Sequence, residues 1–199
     1  MTLFEDEPAR PVRSGADWEV HRRHRHPPSG PPQDELGVPA LSSFLLVRTA
    51  EVVVAVRGIT SYSDGLHLVV VVLFADEQRT EDLDHTMDDF SRSPGRFRFG
   101  CVGADGRAAT SGARDAPAVE PEGPGGPALV LLRASSGALL WTGEYWLHPL
   151  PAPGPLVLGC RWPDRRVPET LVEVDTGPLL AAAAGSAPVW GPPTGVLRP

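Results

Sequence analysis

A chain of 199 residues fits one domain of ordinary size with some chain left over at its ends. Its 41% apolar share can build a core only if polar residues collect outside it, and 21 Gly with 23 Pro demand many turns and irregular stretches. The formal charge of −7 argues against general nucleic-acid binding, which rests on phosphate neutralisation, and against attachment to an anionic membrane surface.

Lys and Asn are absent and Ile occurs once, as Ile59, a bias that points to a high-GC bacterial gene. Arg is then the default cation, and an Arg-rich face is weaker evidence for phosphate binding than usual. The start, MTLFEDEPAR, is acidic where a secretory signal needs positive charge. The longest apolar run, Leu68 to Ala75, is far shorter than the ~20 residues of a spanning helix. The expected location is cytoplasmic.

Residues 1–37 carry no apolar periodicity and are expected to be a disordered N-terminal segment. They include HRRHRH (His21 to His26), which reads as a solubilising tract, with weak metal or nucleic-acid contact as the sharper alternative. Residues 38–177 are expected to form the folded domain. Three β-branched-rich runs open it: VPALSSFLLVRTA, EVVVAVRGIT and LHLVVVVLFA. Asp64-Gly65 marks a hairpin between the last two. Leu66, Leu68, Val70, Val72 and Phe74 share one face, but Val69, Val71 and Leu73 on the other are apolar too, so this strand is expected to be central and covered on both sides.

Asp76 to Ser93 is acidic, and Leu83, Met87 and Phe90 allow a short amphipathic helix there as readily as a loop. RFRFGCVGADGRAAT predicts a strand, an Asp105-Gly106 turn and a second strand. Ser111 to Pro127 predicts a surface loop, and Ala128 to Arg133 a strand turned by Ser135-Ser136-Gly137. From Gly137 to Asp175 alternation predicts three strands joined by two proline-bearing corners. Leu139, Trp141, Tyr145 and Leu147 fall on one face, and Leu156, Leu158, Cys160 and Trp162 on another. Residues 178–199 are expected to be a short helix and an extended tail. Thr176 is the candidate N-cap and Gly185 the C-terminal stop.

Short strands, frequent turns and no βαβ alternation predict an all-β fold: an antiparallel β-sandwich of about eight strands with a short C-terminal helix, the alternative being a closed β-barrel. Two cysteines make no disulfide framework. Cys101 and Cys160 read as buried thiols, and the immunoglobulin-type bridge lacks its Trp shortly after the first Cys.

Arg48 to Ile59, Arg98-Phe99-Gly100 with Asp105-Gly106-Arg107, and above all Tyr145-Trp146-Leu147-His148-Pro149-Leu150-Pro151-Ala152-Pro153-Gly154-Pro155-Leu156 with Trp162-Pro163 resemble a family of uncharacterised β-rich proteins from high-GC bacteria. The resemblance spans roughly Val38 to Trp190. It implies a cytoplasmic bacterial β-rich protein and carries over no function and no catalytic residue.

No motif for nucleotides, zinc or nucleophilic catalysis is present. Glu144 and His148, on one strand face, are the nearest approach to an acid–base pair, with ordinary strand pairing as the plainer reading. Asp82, Asp84 and Asp88 in the acidic segment offer oxygen ligands for Ca²⁺, although the EF-hand spacing is missing and a solvated acidic face explains them as well. Trp146, Pro149, Pro151, Pro153 and Trp162 form either an aromatic, proline-rich surface for a partner or a rigid corner between sheets. The expected function is a non-enzymatic protein–protein interaction or assembly module, without cofactor, whose partner is another protein. The alternatives are a small-molecule binder or enzyme in a groove near Glu144 and His148, and a Ca²⁺-binding sandwich.

Overall fold

A computed structural model of the chain describes residues 30–77, 96–111 and 126–190. The extended runs become β1 (Glu35–Leu36), β2 (Val38–Leu41), β3 (Phe44–Arg48), β4 (Val52–Ser61), β5 (Leu66–Phe74), β6 (Arg98–Val102), β7 (Ala108–Thr110), β8 (Ala128–Gly137), β9 (Leu140–His148), β10 (Pro155–Trp162), β11 (Val167–Asp175) and β12 (Ala187–Pro188). One helix, α1 (Thr176–Ala184), precedes β12, and a 3₁₀ turn (Pro163–Arg165) links β10 to β11. The run read as one strand from Val38 is broken at Ser42-Ser43 into β2 and β3, which pair with successive stretches of β4. That break and the two-residue β1 and β12 supply the strands that the sequence does not predict.

The strands form two main antiparallel sheets, with no hydrogen-bonded ladder joining them into a barrel. The six-stranded sheet has the order β2-β4-β5-β9-β8 with β3 also on β4; the four-stranded sheet has the order β11-β10-β6-β7. β5 is central, as its two apolar faces predict. Val71 on the outward face is buried, but Leu73 is 42% exposed, so the cover is incomplete.

The inner faces supply the core. Val52, Val54 and Val56 of β4, Leu66 to Phe74 at alternate positions of β5, and Trp141, Tyr145 and Leu147 of β9 meet Phe99 and Cys101 of β6 and Leu156, Leu158, Cys160 and Trp162 of β10. Aromatic edges knit the sheets together: Phe99 lies 5.0 Å from Tyr145, Phe74 6.1 Å from Trp162, and Phe97 sits between Trp141 and Trp162. Leu139 departs from its expected face. β8 runs on to Gly137, so Leu139 falls in the hairpin tip and is 47% exposed.

The turn signals act as their chemistry requires. Tyr62 N donates to Gly65 O across the Asp64-Gly65 turn, and Gly106 takes φ +77° in the β6–β7 turn, which favours glycine. Helix α1 forms as predicted with a different cap. The Asp175 carboxylate accepts from Gly177 N at 2.9 Å, and Thr176 is drawn inward instead. Gly185 ends the helix in right-handed geometry, φ −89°, so no left-handed cap is used.

Of the expected N-terminal segment, residues 1–29 lie outside the described residues; Glu35–Leu36 is a strand paired with Ala187–Pro188. The Glu35 carboxylate accepts from Ser63 N, Ser63 Oγ and Ser186 Oγ, which ties both ends of the described chain to the β4–β5 turn. Trp190 follows this ribbon and is 72% exposed. The acidic segment with Asp82, Asp84 and Asp88, where Leu83, Met87 and Phe90 allow either a short helix or a loop, and most of the loop after Ser111 lie outside the described residues. No helix among the described residues is long and apolar enough to cross a membrane.

Candidate functional site

Three places bear on function: the outer face of the six-stranded sheet, the proline corner, and the outer face of the four-stranded sheet. On the first, alternation along β9 turns Trp141, Tyr145 and Leu147 inward and Glu144, Trp146 and His148 outward. The two residues singled out as an acid–base pair are not brought together. β9 is extended, so Glu144 and His148 stand about 13 Å apart along it, at roughly 3.3 Å per residue. Each has a different partner: Glu144 lies 3.4 Å from His67 Nε2 on β5, and His148 Nε2 lies 3.9 Å from Asp64 in the β4–β5 turn. Between these pairs Trp146 is fully buried, with Tyr62 edge-on at 5.6 Å. Gly65 makes room for it, since a Cβ there would stand 2.4 Å from the indole and 2.6 Å from Leu147 O. Among the described residues no three His, Cys, Asp or Glu side chains gather to hold a metal ion. What this face offers chemically is histidine–carboxylate pairing around a packed indole.

The proline corner (residues 149–154) leaves β9 in one sheet and enters β10 in the other. Leu150 N donates to Asp64 O at 3.0 Å. The buried Thr176 hydroxyl accepts from Gly154 N at 2.9 Å and donates to Gly154 O at 2.7 Å. Gly154 has φ +126°, a conformation that side chains rarely adopt. Trp146 and Trp162 are closed off from solvent, so the corner shows a partner its prolines and no tryptophan: Pro149 and Pro153 are exposed, Pro151 half-buried. Beneath it is a cavity of about 50 Å³, bordered by Cys101, Asp105, Arg107, Leu147, Pro149 and Leu156. That is room for a few waters, well short of the roughly 300 Å³ of a small-molecule site.

The third place comes from the register of β6, β7, β10 and β11. Alternation in RFRFGCV sends Phe97, Phe99 and Cys101 inward and Arg98, Gly100 and Val102 outward; GCRW does the same for Gly159 and Arg161. Pairing then sets Arg98 directly opposite Arg161, Gly100 opposite Gly159, and Val102 opposite Val157. Thr110 flanks Gly100 from β7, while Leu171 and Glu173 flank Gly159 and Val157 from β11. The centre of the face is therefore a pair of glycines. Leu171 leans over Gly159, where a Cβ would meet its Cδ2 at 2.7 Å, yet stays 62% exposed; Val102 is 38% exposed. Arg98 and Arg161 are exposed, and among the described residues neither makes an ion pair. Like charges directly opposite on neighbouring strands are destabilising. The outward direction of these arginines is legible in the alternation; their adjacency is not, because β6 and β10 are distant in sequence.

The inner side of the same sheet is dry. Cys101 and Cys160 are free and buried, and burial pushes both thiols up to about 12. Lying on adjacent strands of one sheet, they could not form a bridge between sheets. Burial also carries the Tyr145 phenol well above its ordinary value, with the Ser111 hydroxyl acting in the opposite direction. No family model, curated protein or solved structure matches this chain.

Proposed function

We propose that this chain is a non-enzymatic β-sandwich that binds protein through the outer face of its four-stranded sheet. The observation that carries this is Leu171, 62% exposed on a regular sheet face beside Val102 and two opposed arginines that have no ion-pair partner among the described residues. A sheet face that exposes apolar side chains and bare like charges is poorly satisfied in isolation and gains from being covered. An enzymatic groove at Glu144 and His148 finds less support, since the two are held apart and each is engaged by another side chain. The test compares tagged full-length protein with its Leu171→Asp variant in extracts of the source cells. A protein retained in stoichiometric amount by the wild type and lost from the variant is expected. Equal retention by both, or retention by neither, overturns the proposal.

A further inference from the structure

On the outer face of the four-stranded sheet the opposed arginines and the acidic pair Glu173 and Asp175 sit at opposite ends. Arg98 and Arg161 occupy one end of β6 and β10. Glu173 and Asp175, both exposed, occupy the other end of β11, opposite Val157 and Pro155. Four residues separate Arg161 from Val157, so the two charged ends stand roughly 13 Å apart, too far to neutralise each other within one chain. Glu169, exposed within the register shift between Cys160 and Trp162, lies at the arginine end and makes no ion pair with either arginine. Between the ends lie Leu171 and the bare Gly100–Gly159 pair, while Val102 and Val157 stand level with Glu173.

Such a face is complementary to itself. A two-fold axis lying in the interface and crossing the strands near Gly159 and Leu171 carries the Arg end of one copy over the Glu173 end of the other, twice. The glycine pair lets the sheets approach, and Leu171 meets its own copy at the centre. We infer that the occupant of this face is a second copy of the chain, held in a face-to-face symmetric dimer. This rests on the reading of the same face as a protein-binding surface. Four strands at about 4.8 Å and six residues at about 3.3 Å enclose roughly 400 Å² per copy, below the 1,200 Å² total of a standard interface, so the dimer is weak and concentration-dependent. An isologous interface obeys the rule that if one residue meets a second, the second meets the first, which makes a charge swap within one chain diagnostic.

Sedimentation velocity of the full-length protein is expected to show a monomer–dimer equilibrium at micromolar concentrations that weakens as salt is raised. R161E should raise the dissociation constant about tenfold or more, and R161E/E173R should restore it, because the swapped charges meet again across the axis. Circular dichroism identifies any variant that fails to fold, in which case R161Q and E173Q are expected to weaken the dimer separately. A wild type that stays monomeric throughout, or a folded double variant no tighter than R161E, overturns the inference. If the wild type is monomeric while Leu171→Asp still abolishes capture of another protein, the protein-binding reading stands and the dimer falls. If capture is also unaffected, both fall.

Discussion

The two sheets turn very different backs to solvent. The outer face of the six-stranded sheet buries Trp146 completely and matches each histidine to a carboxylate, His67 with Glu144 and His148 with Asp64. The outer face of the four-stranded sheet opposes Arg98 to Arg161, gives neither an ion-pair partner among the described residues, and shows Leu171 to water. Both faces use the same strand alternation and the same antiparallel ladder, so secondary structure does not explain the contrast. What differs is whether outward side chains find complements within the chain. Where they do, a face is part of the scaffold; where they do not, it is the face proposed to bind a partner.

The contrast can be broken by substitution. Trp146→Ala on the closed face should cost about 3–5 kcal/mol in urea denaturation, as for other buried large-to-small changes, whereas Leu171→Ala on the open face should stay within about 0.5 kcal/mol. Equal costs would abolish the distinction. A second measurement limits the openness to the outer side of the four-stranded sheet. Cys101 and Cys160 hold their protons to about pH 12 when folded, against an ordinary value of 9.0. Between those values the unfolded chain loses protons that the native chain keeps. Stability is therefore fully present below pH 9 and declines as pH rises toward 12, by roughly 1 kcal/mol per pH unit for each thiol. A thiol reagent at pH 8 should label neither cysteine until denaturant is added, and rapid labelling of the native protein would show the inner face to be wet.

Two glycines sharpen the comparison further. Gly65→Ala would drive a methyl group into the Trp146 ring and the Leu147 carbonyl and should cost about 1–3 kcal/mol, read as a shift in the urea midpoint. Gly159→Ala meets chiefly the end of Leu171, an exposed side chain free to swing aside, with Thr170 O next at 3.4 Å, and should cost less than about 1 kcal/mol. The smallest effects carry the clearest signs. Glu144→Gln removes a partly exposed ion pair and should destabilise by no more than about 1 kcal/mol, while Arg98→Thr removes a like-charge contact and should stabilise by a few tenths up to about 1 kcal/mol. A destabilising Arg98→Thr would mean that the opposed arginines are not a strain on the isolated fold.

Much of the architecture is written locally. Leu156, Leu158, Cys160 and Trp162 alternate within one segment, and any extended conformation puts them on one side. Asp64-Gly65 and Asp105-Gly106 encode their turns through the backbone freedom of glycine, and the prolines between β9 and β10 cannot continue a ladder and so must turn the chain from one sheet to the other. These properties need only neighbouring residues, and the sequence by itself determines them. The partners across strands are decided elsewhere. That Arg98 faces Arg161, that Glu144 meets His67 rather than His148, that Asp175 displaces Thr176 as the helix cap while Thr176 pins Gly154, and that Glu35–Leu36 pairs with Ala187–Pro188 all depend on register between segments far apart in the chain. Alternation states which way a side chain points. Only the long-range ladder, fixed when the two inner faces close on one core, states what it meets there, and on the four-stranded sheet that decides which charges are left without a match.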